Sequence, residues 1–375
     1  MTLETIPVNQ PQLDGNEKKY LLECIDSGWI SSEGPWVKRF EDSFSKTVDR
    51  KYGIAVANGS LALDAAVVAA GVGHGDEVIV PTFTIISCVS AIIRAGATPV
   101  LVDTDSSTWN MDVTQIEKKM TARTKAILIV HTYGLPVDLD SVLNLACKNK
   151  LVVIEDAAQM HGQTYHDRPC GSFGDLSVFS FYSNKHVTTG EGGMIVTNDL
   201  NIAERCRSLR NLAFGAEHRF IHQELAWNMR MTSMQAAVGL AQLEKLDRTV
   251  KKKRELGAKY HLLLGGLTEK VELPPHETTY AKSVYWVFGL VLKDGVPFEA
   301  AEIVRRLAEH KIGSRPFFWP MHEQPALKKL GLFESERYPI AERLARRGFY
   351  IPLSLSITDA QMVRVANTLK EVLGA

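Results

Sequence analysis

The residues of this chain that could do chemistry stand at the ends of apolar runs. In "SVFSFYSNKHVTTGEGGMIVTND", Ser177 to Asp199, such a run ends in Lys185, followed by His186 and a Gly-Glu-Gly-Gly turn. A lysine becomes a nucleophile when partial burial or a nearby cation lowers its pKa. Most lysines are simply solvated, but the mouth of a run as apolar as "SVFSFY" is a poor place for one that is not used. In "LVVIEDAAQMHG", Glu155 and Asp156 follow a second apolar run. Unpaired burial of a carboxylate is costly. Asp156 therefore calls for a protonated heterocycle nitrogen, a metal or an arginine, unless it is exposed and caps the next helix. Gln159, one helical turn on, would point the same way. In "VANGSLALDAA", Asn58, Gly59 and Ser60 precede a helical pattern. Free N–H groups and the positive end of the helix dipole can hold a phosphate there. Read alone, Ser60 is more simply a helix cap. The stretch is not GxxxxGK[ST], so a nucleoside-triphosphate loop is not indicated.

In chain order these stretches offer a phosphate cradle, a carboxylate for a pyridinium nitrogen and a lysine for a Schiff base, with Ser180 on the lysine's own segment. That set fits pyridoxal 5'-phosphate (PLP). Asp156 would keep the ring nitrogen protonated, so that the ring can accept electrons from a neighbouring carbanion.

The elements that must position these residues alternate strand with helix. "YGIAVANGS", "DEVIVPTFT", "TPVLVDTD", "KAILIVHTYG", "KLVVIEDAAQ", "LSVFSFY" and "GGMIVTN" read as short strands apolar on both faces, with helical patterns between them. This predicts a mainly parallel sheet covered on both sides, with ligands at the strands' carboxyl ends. A long helical pattern from about Thr232 to Leu267 leads into a different region, where "SVYWVFGLVL" reads as a strand, "PFEAAEIVRRLAEHK" as a helix opened by Pro297, and "TDAQMVRVANTLKEVLG" as a helix capped by Thr358. The expected division is a large unit over 1–250 and a small α+β unit over 251–375.

Composition narrows the classes. The 375 residues are 45% hydrophobic, an ordinary globular balance with length for two units. Lys+Arg and Asp+Glu both total 43, so no net charge draws the chain to nucleic acid or an anionic membrane. Five scattered cysteines without CxxC spacing make a zinc site or a disulfide framework unexpected and fit a reducing compartment. With no basic leader and no long apolar run, a cytoplasmic protein is expected.

The segments "DSGWISSEGPWVKRFE", "GDEVIVPTFT", "AGATPVLVD", "TKAILIVHTYG", "VIEDAAQ", "GSFGD", "FSFYSNKHVTTGEGGM", "WNMRMTSMQAAVGLAQLE" and "SRPFFWPMH", in this order over nearly the whole chain, resemble the DegT/DnrJ/EryC1/StrS sugar aminotransferases. That resemblance implies the aspartate-aminotransferase type I fold, α/β with a mainly parallel seven-stranded sheet. It implies PLP as cofactor, with pyridoxamine 5'-phosphate as its intermediate form, and a homodimer with shared active sites. Lys185 would carry the cofactor, Asp156 would pair with the ring nitrogen, and Gln159 would approach the ring's phenolic oxygen. Gly59, Ser60 and Ser180 would bind the phosphate, joined by Asn228 from the neighbouring subunit. Trp29, Ser31, Arg315 and His322 would contact substrate; the Arg315 fork suits a nucleotide phosphate.

"WISSEG", "NKHVTTGEGGM" and "RPFFWPMH" look most like the branch that moves an amino group from glutamate to C4 of GDP-4-keto-6-deoxymannose, giving GDP-perosamine for surface polysaccharide such as O-antigen. The alternatives are a UDP- or dTDP-linked keto sugar as acceptor, or a PLP-dependent sugar dehydratase. Some relatives carry histidine in place of the lysine and are dehydratases; here Lys185 holds the family position and His186 follows it. Many relatives have an aromatic residue stacked on the cofactor where this chain has Ile85. A non-enzymatic regulator is disfavoured because no DNA-binding module or basic patch is visible, and an oxidoreductase because no GxGxxG follows the first strand.

Overall fold

The computed structural model describes residues 4–215 and 218–374. Strands β1 (Tyr52–Val56), β2 (Glu77–Pro81), β3 (Thr98–Val102), β4 (Thr124–Val130) and β5 (Val152–Asp156) are followed by a small hairpin of β6 (Thr164–Tyr165) and β7 (Arg168–Pro169), then by β8 (Leu176–Ser180) and β9 (Gly193–Thr197). Seven of them form one sheet in the order β1-β9-β8-β5-β4-β2-β3. Only β9 runs against its neighbours β1 and β8; the other pairings are parallel. Both faces are apolar because both are covered. The helices Gly59–Ala69 and Ile86–Arg94 enclose one core, around Leu63, Val80 and Ile92. The helices Pro35–Thr47 and Ser233–Leu243 enclose the other, around Phe40, Ile127 and Ala237.

A second, antiparallel sheet has the order β10 (Val271–Glu272), β11 (Phe288–Leu292), β13 (Gly348–Ile351), β12 (Arg315–Pro316). The helices Ala300–Glu309 and Asp359–Leu373 close its own core, with Phe288, Ile303 and Val365 inside. Thr358 caps the last helix through a reciprocal capping box with Gln361. Pro297 lies before the helix that it was expected to open, and Glu299 is the N-cap.

The pattern from Thr232 to Leu267 is not one helix. It breaks between Leu243 and Leu246, and a 3-10 turn ends it at Gly265–Leu267. The break is held by the N-terminal segment: Lys245 pairs with Asp14 at 2.9 Å and Glu17 at 2.6 Å, and Tyr20 Oη donates to Glu244 at 2.6 Å. Helical periodicity alone does not register such long-range ties.

We propose the boundary between the units near residue 250, inside the helix Leu246–Leu264, with two exchanges across it. Residues 6–8 pair with the small unit, Gly313 N–H donating to Ile6 O and Leu353 N–H to Val8 O. Conversely Phe317, Met321 and Tyr338 pack into the large unit's core. Among the described residues no helix is long and apolar enough to cross a membrane.

Candidate active site

The carboxyl ends of β4, β5 and β8 lie side by side, with Val130, Asp156 and Val178 in register. Above them opens a cavity of about 560 Å³. Gly59, Ser60, Asp156, Gln159, Ser180 and Lys185, expected from the sequence to meet at one cofactor, all line it.

One end of the cavity is built from two helix starts. Asn58 caps the helix Gly59–Ala69, its Oδ1 accepting from Leu61 N–H at 2.9 Å. The earlier amides, at Gly59 and Ser60, remain for a ligand. The helix Ile86–Arg94 starts beside it without a side-chain cap, and Ser87 Oγ lies 2.7 Å from Ser60 Oγ. Ser87 was not singled out from sequence, because a serine inside "PTFTIIS" gives no local sign of its partner. A Cβ on Gly59 would lie 2.7 Å from Ser180 Cβ, so only glycine lets these elements approach. Gly193 plays a related part. A Cβ there would lie 2.5 Å from Asn58 O, so this glycine of the Gly-rich turn admits backbone rather than a flat ligand.

Glu155 and Asp156 point to opposite faces of the sheet, as neighbours on a strand must. Burial acts to raise the Glu155 pKa. His131, the Gly171 N–H and the Ser177 hydroxyl outweigh it and bring the value down to about 2. His131 Nδ1 accepts from Val137 N–H at 3.0 Å, so Nε2 carries the proton that it gives to Glu155. Cys170 lies close enough to complete a trio of metal-ligand types, but the other two are already engaged in these bonds.

Asp156 faces the cavity and is 3% exposed. It accepts from Ala158 N–H at 3.0 Å and from the Cys88 thiol at 3.3 Å. Burial raises its pKa, opposed by these two donors and by the charge of Lys185. Among the described residues, the buried carboxylate thus has no hydrogen-bonded cation of its own.

Lys185 is half-buried by area, yet its amine sits within the cavity walls. Desolvation lowers its pKa to about 8, and the Asp156 charge acts the other way. Nζ lies 3.8 Å from the centroid of the Trp286 ring. His186 turns behind it: its Nδ1 is 3.2 Å from His161 O, and burial brings its pKa down to about 3. His186 does not line the cavity. Gln159 Oε1 accepts from Tyr133 N–H at 2.6 Å, which leaves its amide nitrogen for the cavity.

The remaining expected residues lie apart. Arg315 is exposed in an annex of about 260 Å³ that shares Tyr182, Asn184, Trp286 and Tyr350 with the main cavity. Trp29, Ser31 and Asn228 are exposed and do not line the cavity within one chain. His322 departs from the expected substrate contact. It is 2% exposed, with Nδ1 2.9 Å from Thr82 Oγ1 and Nε2 3.1 Å from Glu342. Both ring nitrogens are taken, and the residue ties two segments together. Ile85 lines the cavity with its side chain 44% exposed.

Residues 11–370 match the DegT/DnrJ/EryC1/StrS aminotransferase family. The chain belongs to this family. It is a PLP-dependent aminotransferase. It is similar to the GDP-perosamine synthase of Escherichia coli O157:H7, at 40% identity over 98% of this chain and 99% of the relative, and to that of Caulobacter vibrioides, at 41% over 99% of each. Among solved structures it is similar to the Streptococcus pneumoniae protein Spr1654 in its PLP form, with a TM-score of 0.91, 25% identity and 99% of both chains covered. The residues present suit this cofactor on physical grounds. Asp156 is buried without a bonded cation, a glycine keeps the helix start open, and a lysine of lowered pKa shares their cavity.

Proposed function

We propose that the chain transfers the amino group of glutamate to a nucleotide-linked keto sugar, at C4 of GDP-4-keto-6-deoxymannose, giving GDP-perosamine for surface polysaccharide such as O-antigen. The observation that carries the reaction type is the meeting of Lys185 and Asp156 in one cavity, with Lys185 rather than His186 facing it. The choice of sugar rests on the two GDP-perosamine synthases at about 40% identity across the full length.

When bound, PLP supplies a carbonyl carbon that captures amines and a ring that takes up an electron pair. Gly59, Ser60 and Ser180 would hold its phosphate, Asp156 its ring nitrogen, Gln159 its phenolic oxygen and Lys185 its carbonyl carbon. Asp156 keeps a proton on the ring nitrogen, because a carboxylate so buried favours a cation beside it. Lys185 would be a base already at the reacting carbon. It takes the proton from glutamate Cα and, in the reverse half-reaction, gives one to C4 of the sugar. A pKa of about 8 leaves a useful neutral fraction near pH 7.5. Arg315, Trp29 and Ser31 would meet the nucleotide sugar.

Asn228 would reach the phosphate of a neighbouring subunit, making a homodimer with shared sites. In support, Trp29, Ile30, Ile221, Leu225 and Trp227 are exposed, Leu225 at 97%. Large apolar side chains so exposed are characteristic of covered faces. A cytoplasmic location suits a donor and an acceptor that are both small polar metabolites.

The test is an assay of the purified protein with glutamate and GDP-, UDP- and dTDP-linked 4-keto sugars, with products read by mass spectrometry. Amination of the GDP sugar at least tenfold above the others, about 1.4 kcal/mol of discrimination, is expected. Loss of water from the sugar without amination would replace this reading with that of a dehydratase.

A further inference from the structure

The cavity has an aromatic wall that none of the expected roles uses. Trp286 precedes β11 in the small unit and is 7% exposed. Its ring centroid is 3.8 Å from Lys185 Nζ. It is fixed from several sides. The indole N–H donates to Asn184 O at 3.1 Å, one residue before the lysine. The Trp286 carbonyl accepts from Lys253 Nζ at 3.2 Å, and the same ammonium donates to Leu353 O at 2.7 Å. The Tyr133 ring stacks on it at 6.0 Å and 23°.

We infer that Trp286 is a positioning residue for Lys185, its indole face seating the Nζ ammonium that forms when the freed amine takes up a proton, so that this proton is held beside the reacting carbon. This rests on the reading of Lys185 as the cofactor-bearing amine. A ring face attracts an ammonium but not a neutral amine, and more strongly where water is excluded. A released lysine side chain would otherwise sample many rotamers. The seat limits that search. It also couples the units: the lysine comes from the large unit, the ring from the small one, and the Trp286 N–H to Asn184 O bond holds them in register.

Two effects of opposite sign act on the amine. Excluded water favours the neutral form, and the ring face favours the charged one. Among the described residues, the other titratable groups around it are Asp156 from β5, Glu191 and Tyr182 at the rim, Tyr350 from β13, Tyr133 stacked on the ring, His161 and His186 behind, and Lys253 beneath the Trp286 carbonyl. None of these is removed by changing the ring, so the ring's part can be read alone.

The test uses cofactor-free protein, so it holds whether or not the sugar assay succeeds. Acetic anhydride labelling of Lys185, quantified by peptide mass spectrometry across pH, gives the amine's midpoint. Trp286→Leu keeps the wall apolar but removes the ring face, and should lower the midpoint by roughly 0.5–1 pH unit. Trp286→Phe keeps a ring and should shift it less. Trp286→Ala admits water and should raise it toward an ordinary lysine. A Trp286→Leu midpoint equal to or above wild type overturns the proposal. A second measurement needs no change at Trp286. Indole fluorescence of the wild type, titrated from pH 6 to 10, should show a step near the Lys185 midpoint that Lys185→Met lacks. Identical titrations of the two proteins would also overturn it.

Discussion

Replacing Asp156 with Asn separates what the carboxylate does for the cofactor from what it costs the protein. The side chain is 3% exposed and accepts only from the Ala158 N–H and the Cys88 thiol among the described residues. Removing one member of a buried charge pair costs about 3–5 kcal/mol. At 1.36 kcal/mol per decade that is roughly a 150- to 5,000-fold loss of kcat/KM. The cofactor-free protein should respond in the opposite direction. Burial raises the folded-state pKa of Asp156 above its unfolded value. Its favourable contribution is therefore present below the unfolded pKa and lost as pH rises through the folded one. At pH 7 the ionised group is a net cost, and Asp156→Asn removes it. Steady-state kinetics of the loaded enzyme and thermal melting of the cofactor-free protein, both at pH 7 and the latter also at pH 4, read the two effects. Low activity with a higher melting temperature at pH 7, and a smaller gain at pH 4, is expected. Activity within tenfold of wild type, or a lower melting temperature for the cofactor-free variant, would refute the reasoning.

Glu155, the neighbouring carboxylate, should behave in the reverse way. Its folded pKa of about 2 against 4.5 gives stability that is present above pH 4.5 and lost as pH falls toward 2, about 3 kcal/mol in size. Glu155→Gln should flatten the acid limb of unfolding followed by circular dichroism. If Ser60 donates to the cofactor phosphate as proposed, Ser60→Ala should weaken PLP binding roughly 10- to 150-fold, from about 1.5–3 kcal/mol per charged hydrogen bond, as measured by titrating cofactor-free protein. Gly59→Ala should weaken binding further, because its new Cβ meets Ser180. If Asn228 acts across a dimer, Asn228→Ala and Lys185→Ala are each impaired alone, and each mixed dimer regains one of its two sites. An inactive mixture of exchanging subunits would exclude a role for Asn228 across the subunit boundary.

Much of this site was legible because backbone direction follows from local pattern. Fully apolar runs separated by helices imply a parallel sheet, and a parallel sheet sends Asp156 and Ser180 to one edge. The cap at Thr358 is local too, whereas the cap read at Ser60 falls two residues earlier, on Asn58. What escaped depends on contacts distant in sequence. Trp286 reaches Lys185 across 101 residues, and nothing in "SVYWVFGLVL" marks that tryptophan as different from a core aromatic. His322 is expected at the substrate only through the resemblance of "RPFFWPMH"; Thr82 and Glu342 occupy both of its nitrogens. The helix break near Lys245 likewise depends on Asp14 and Glu17, far upstream. Residues that would act across a subunit boundary, as Asn228 would, cannot be brought to the cavity by folding one chain.

The most direct test concerns which lysine bears the cofactor, because the protein offers two. Lys185 has its pKa lowered to about 8 in the cavity, and Lys253, also buried, has its lowered to about 7 in the annex beside it. Acidity alone favours Lys253. Geometry favours Lys185, since the Lys253 ammonium is tied to Trp286 O and Leu353 O while Lys185 shares its cavity with Asp156 and Ser60. Borohydride reduction of the PLP-loaded protein, followed by peptide mass spectrometry, fixes the cofactor to the lysine that holds it. A phosphopyridoxyl group on Lys185 and none on Lys253 is the expected result. The group on Lys253, or on neither, would contradict the assignment of the active site.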